Sequence, residues 1–161
     1  MPVDRSGCAA LANLAGNLDG KLAVARAGGG AAVAAALLRF DGAAVAEEGC
    51  RCLANIASGD AECKHAVCAA AGPRALVKAA VAHLRQQPPQ VLLGASHGFG
   101  FLAVAAASGV FVLDDTAWVA DAVEVMRRGM ASHANHPHLQ VQAEWSLHYL
   151  NYVSAYRVSE R

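Results

Sequence analysis

The chain has 161 residues, enough for one domain with a sizeable core, and 55% of them are hydrophobic, 38 being alanine. Alanine is the strongest helix former and a small core filler, so this composition points to helices. Thirteen Lys and Arg balance thirteen Asp and Glu. With no basic run, the chain lacks the clustered cations that a nucleic-acid surface needs.

The opening MPVDRSGC has neither the basic start nor the apolar middle of a signal peptide, and no lipidation motif is visible at either end. The five cysteines, an odd number, read as reduced thiols. A cytoplasmic protein is expected, with the nucleus also open.

The first predicted helix, residues 6–15, ends in LANLA at 11–15. Leu18–Ala27 follows and stops at Gly28-Gly29-Gly30. Ala31–Phe40 comes next, and then a longer helix through Val45–Ser58 that contains LANIA at 53–57. The same order returns: Ala61–Ala71 ends at Gly72-Pro73, and Arg74–Gln87 stops at Pro88-Pro89. Glycine past a helix end and proline at the next start are ordinary helix punctuation. A long helix then covers Val91–Val104. Ser108–Asp115 is a poor first helix, and Thr116–Ala131 is a good second one that Asp114-Asp115 is placed to cap. His136-Pro137 opens the last helix.

The long helices align as one repeated element. Cys8, Leu11 and Asn13 recur as Cys50, Leu53 and Asn55. A shift of 96 brings Val141, Glu144, Asn151 and Ser154 onto Val45, Glu48, Asn55 and Ser58. A shift of 46 gives the third copy, with Phe101 in the Asn column. Each copy carries an apolar stripe at i, i+4, i+8, i+11, which keeps to one helix face: Val45-Gly49-Leu53-Ile56, Val91-Ala95-Phe99-Leu102 and Val141-Trp145-Tyr149-Tyr152. These stripes are expected to form the core.

Three helices per unit of about 42 to 50 residues, a Gly-rich turn between the first two and a long third helix with Leu-x-Asn-Leu-Ala resemble the armadillo repeat. The resemblance runs from about Ser6 to Ser154. It is weakest in the third unit. The two-helix HEAT repeat is the near relative, and the Gly28 and Gly72 turns favour armadillo. The resemblance implies an all-α, right-handed superhelix of about three repeats, the first truncated: 6–15 partial, 18–58, 60–104, a degenerate 108–154, and a tail at 155–161. Such units bury their apolar faces only by stacking on neighbours. The first helix has no polar cap, which points to a fragment of a longer solenoid or to self-association through that end.

Armadillo proteins bind extended segments along a concave groove of third helices, without catalysis. The resemblance gives Asn13, Asn55 and Asn151 the role of bonding a ligand backbone. Asn55 lies roughly 115° from the centre of its apolar stripe, off the core face. A carboxamide both donates and accepts, as a peptide unit requires. The bland alternative is that these side chains bond a neighbouring helix. The column four residues earlier reads Ala9, Arg51, His97, Leu147. Importin-α has Trp there and this chain has none, which weakens the expectation of importin-like cargo. His97 and Phe101 read as an apolar anchor or as inward packing. Glu48 and Arg51 read as a surface ion pair or, with Glu144, as a charged groove rim.

Other chemistries lack their patterns. Cys50 and Cys52 point apart on a helix, and with Cys63, His65 and Cys68 they have no zinc spacing. His133, His136 and His138 form a His-rich loop of the kind that takes metals adventitiously. Gly28-Gly29-Gly30 follows a helix and no GKS or GKT comes after it, so it is no phosphate loop. No nucleophile–base pair has a strand-to-helix elbow. The expectation is a non-enzymatic scaffold without cofactor or metal, binding a protein or peptide segment and neither nucleic acid nor membrane. The alternatives are a structural piece acting through its ends or outer face, and a membrane-associated protein built on the charge-free stretch Leu92–Leu113.

Overall fold

The computed structural model describes residues 3–109 and 115–156. All the regular structure in them is helical: α1 (Arg5–Leu14), α2 (Leu18–Arg26), α3 (Gly29–Arg39), α4 (Ala43–Ala57), α5 (Ala61–Ala69), α6 (Gly72–Ala82), α7 (Gln90–Ala107), α8 (Ala117–Ser132) and α9 (Pro137–Tyr156). The proposed first helix of the third unit falls largely on 110–114, outside the described residues, as does Asp114. Among the described residues Asp115 caps the start of α8, its Oδ1 accepting from Ala117 N at 2.9 Å.

Helix starts follow local chemistry. Asp4, Asn17 and Asp60 each accept a backbone N–H three residues on, which satisfies an end group that the helix leaves open. Between α2 and α3 the chain turns on Gly28 at φ 75°, and between α5 and α6 on Ala71 at φ 56°. Both turns need the left-handed region, which glycine enters freely and alanine does not. After each turn a glycine lies flush against the valine before it. A Cβ on Gly29 would sit 2.5 Å from Val24 Cγ1, and one on Gly72 would sit 2.6 Å from Val67 Cγ1.

The helices stack as an armadillo-like solenoid. α1, α4, α7 and α9 form one ladder, each packing most extensively on the next. α3, α6 and α8 form a second row, and α2 packs on α5. One continuous core runs between the rows, with Leu37, Leu53, Ile56, Leu76, Phe99, Leu102, Met126 and Leu150 fully buried. α7 is long and apolar enough to cross a membrane by length and composition, and 67% of it is buried within the fold. Its place between α4 and α9, with α6 and α8 beside it, accounts for that composition.

The stripe expected on the last helix is corrected by this packing. Val141 is 67% and Tyr152 49% exposed, while Leu139, Ala143, Ser146, Leu150 and Val153 face the core. The buried set of α9 matches Ala46, Cys50, Leu53 and Ala57 of α4 at a shift of 93, and Leu92, Ser96, Phe99 and Ala103 of α7 at a shift of 47. The register is therefore three residues away from the one that sequence identities suggest. A second observation agrees. Gly98 approaches Ala54 Cα, and in the same relation Gly100 approaches the ring of Trp145.

Candidate concave site

The third-helix ladder positions the candidate residues. Between α4 and α7 lies an open cleft of about 400 Å³. Arg51, Asn55, His97 and Phe101 line it together, and so do Glu47 and His138. Asn13, Glu48, Glu144 and Asn151 do not. In the corrected register His148, rather than Asn151, holds the column of Asn55 and Phe101, and Glu144 holds that of Arg51 and His97. Asn151 falls a turn further on, in the column of Ser58, and is exposed.

Helix-to-helix bonds occupy part of this surface. Asn55 Nδ2 donates to Ala12 O at 2.9 Å, a bond from α4 to the backbone of α1. Its Oδ1 bonds to no described residue. Arg51 donates through Nε and Nη2 to Glu48 Oε2, at 3.0 and 2.6 Å, and through Nη1 to Asn13 Oδ1 at 3.1 Å. The Glu48–Arg51 ion pair thus exists, and it is tied to α1 through Asn13. Glu144 is exposed and makes no ion pair with the described residues.

On α7 and α9 the surface is aromatic. His97 stacks on Phe101 with centroids 6.3 Å apart. Phe101 meets Trp145 edge to face at 5.6 Å, Trp145 meets Tyr149 at 6.0 Å, and Tyr149 meets His148 at 4.9 Å. His138 abuts His97 at 6.4 Å. His97 Nδ1 donates to Leu93 O at 2.9 Å, and burial lowers its pKa by disfavouring the charged ring. Trp145 and Tyr149, expected in the core, are half-buried, and Tyr149 packs against the core cluster, while His138 and His148 were not among the expected groove residues. An apolar stripe does not distinguish core from groove. The signal available was Gly100, small enough to seat an indole, in the column where the second unit has Ala54.

The alternative chemistries resolve into structural roles. Cys50 and Cys52 are fully buried, and burial pushes the Cys52 thiol up to about 12 and that of Cys50 higher still. Such thiols stay protonated and unreactive. The three loop histidines diverge. His133 is buried, donating from Nε2 to Leu84 O at 2.9 Å and accepting from Gln87 at Nδ1. His136 accepts from Leu139 N, and His138 lines the cleft. No cluster of metal-ligating side chains occurs among the described residues.

The fold is similar to those of two engineered proteins whose crystal structures came from a structural-genomics consortium. One aligns over 91% of this chain and 56% of its own, at 26% identity and TM-score 0.69. Another aligns over 91% and 33%, at 27% identity and TM-score 0.68. The chain thus spans about half the length of the first and a third of the second. A designed armadillo repeat protein in complex with the peptide (KR)4 aligns over 91% of this chain and 74% of its own, at 19% identity and TM-score 0.53. No family model and no curated protein matches the sequence. The chain has an armadillo-like helical repeat fold.

Proposed function

We propose that the chain is a non-enzymatic scaffold that holds an extended protein segment along the concave face of α4, α7 and α9. The observation that carries this is the cleft where Asn55, His97, Phe101 and His138 converge, open to solvent and flanked by half-buried rings. Asn55 Oδ1, which bonds to no described residue, accepts a ligand N–H in this reading, while its Nδ2 stays on Ala12 O. His97 and Phe101 offer apolar surface with a polar edge, the composition typical of binding anchors. That a designed protein of this fold is in complex with a peptide supports an extended ligand. Cytoplasm or nucleus is the compartment proposed.

The test is selection of peptides from a displayed library against the folded chain. A His97→Ala/Phe101→Ala variant that keeps its helical circular dichroism is expected to lose the selected peptides, and Lys78→Ala on the other helix row to keep them. Peptides retained by the first variant and lost by the second would overturn the reading.

One observation favours a second reading, in which an end of the solenoid binds. Leu14 is 60%, Leu18 67% and Leu38 44% exposed. Ala31 and Ala35 stand where the second unit has Arg74 and Lys78. Another copy of the chain could cover this end, and a sedimentation profile that stays monomeric at high concentration would remove that reading.

A further inference from the structure

The cleft between α4 and α7 has two unlike walls. On the α4 side stands Arg51, and on the α7 side stand His97 and Phe101, with His138 of α9 also on the cleft. The floor between them is low. Gly94 has no side chain, and a Cβ there would lie 2.9 Å from Cys50 Cβ, so the two helices touch beneath the cleft. Ala54 and Leu93, both buried, complete an apolar base. The volume of about 400 Å³ falls in the range of small-ligand pockets.

Arg51 is fixed at its edges and open on its faces. Nε and Nη2 donate to Glu48 Oε2 and Nη1 donates to Asn13 Oδ1, so every guanidinium nitrogen is bonded. What such a group still offers is its flat face, which stacks on aromatic rings. Across the cleft His97 stacks on Phe101 with the two planes 24° apart. Burial holds His97 below its usual pKa, so this wall is uncharged at neutral pH. The walls therefore discriminate among side chains. A lysine or arginine head is attracted by Glu47 and repelled by Arg51, so the cleft gives it little net pull. An aspartate or glutamate finds each nitrogen of Arg51 already bonded, with Glu47 and Glu48 close by. An aliphatic side chain gains burial and nothing more. An aromatic ring gains burial, a guanidinium on one face and ring packing on the other.

We propose, building on the groove reading above, that this cleft selects an aromatic side chain of the bound segment and holds its ring between Arg51 and the His97–Phe101 pair. The segment then carries a tyrosine, phenylalanine or tryptophan at the position nearest Asn55, which lines the same cleft.

The test is a titration of the full chain, followed by amide chemical shifts, with Gly-Ser octapeptides that carry one central guest residue: Tyr, Leu, Lys or Glu. A single anchoring side chain supports about millimolar affinity, which this readout reaches. The Tyr peptide is expected to bind about fivefold tighter than the Leu peptide, and the Lys and Glu peptides more weakly than Leu. That ranking in the native chain carries the test by itself. Two variants then locate it. Arg51→Lys keeps the charge and removes the plane. His97→Leu/Phe101→Leu keeps apolar surface and removes the rings. Each, with its helical circular dichroism unchanged, should bring the Tyr affinity down to about that of Leu and leave Leu as it was. Lys78→Ala on the second row should change neither. Leu binding as tightly as Tyr, Lys binding more tightly, or a Tyr preference that survives both variants would overturn the aromatic selection. Shifts still centred on Asn55 and Phe101 in that case would leave the groove reading standing. Shifts that avoid the cleft with all four peptides would overturn both.

Discussion

The first two units and the last unit solve the same problem differently. In the first, the ladder α1–α4 is held by polar bonds: Asn55 to the backbone of α1, and Arg51 bridging Glu48 and Asn13. In the last, α7–α9 is held by a buried serine pair and an aromatic ladder. Ser146 Oγ donates to Ser96 O at 2.7 Å, and the two hydroxyls lie 3.0 Å apart. Residues that sequence comparison would call equivalent therefore act differently. In the first junction an asparagine is a strut, and in the last the groove column is occupied by rings. The polar side chains of the first junction tie α4 to α1, whereas the last junction is tied by hydroxyls and rings.

Substitutions at each junction sharpen this contrast. The largest expected effect is at Gly100. A Cβ there would lie 2.0 Å from Trp145 Cζ3, so Gly100→Ala must push the indole off its seat. A loss of about 2–3 kcal/mol in denaturant unfolding is expected, with a shift in tryptophan emission, because an overpacked ring cannot relax without moving its neighbours. No spectral change would mean that the ladder is not held by this contact.

Next comes the serine pair. Ser146→Ala removes a donor from a buried carbonyl and should cost about 1–2 kcal/mol. Because the loss is local to α9, hydrogen exchange should speed up there before it does in α4.

Asn55→Ala should cost about 1 kcal/mol by leaving Ala12 O without its partner. Asn55→Asp should cost at least as much, since a carboxylate cannot donate to that carbonyl. Equal stability of all three chains in chemical unfolding would show that the asparagine is not a strut.

The smallest effect has the opposite sign. Ala71 holds a left-handed conformation that its Cβ disfavours, whereas Gly28 does the same work without strain. Ala71→Gly should raise stability by about 0.5–1 kcal/mol in the same unfolding assay.

Most of the architecture was legible in the sequence because its signals are local. Gly28, Gly72-Pro73 and Pro88-Pro89 mark helix ends by backbone restriction alone, and LANLA with LANIA marks the repeated helix. The last unit was misread for a physical reason. Val141, Glu144, Asn151 and Ser154 match the template by identity, but burial, which sets the register, follows Leu139, Ala143, Ser146 and Leu150. A three-residue slip turns a helix by about 60°, enough to move Tyr152 from core to surface and bring His148 into the groove. That Arg51, Asn55, His97 and Phe101 share one cleft was legible because each sits off the apolar stripe of a correctly aligned helix. His138 was not, because it reaches the cleft from a neighbouring helix that no single-helix wheel includes.

The most direct test of the central claim, that the concave ladder is the binding surface, is a backbone and aromatic chemical-shift map of the full chain with a selected peptide. The account predicts perturbations concentrated at Asn55, His97, Phe101, His138, Trp145 and His148. Perturbations centred instead on Arg74, Lys78 and Trp118, with those residues unmoved, would contradict it.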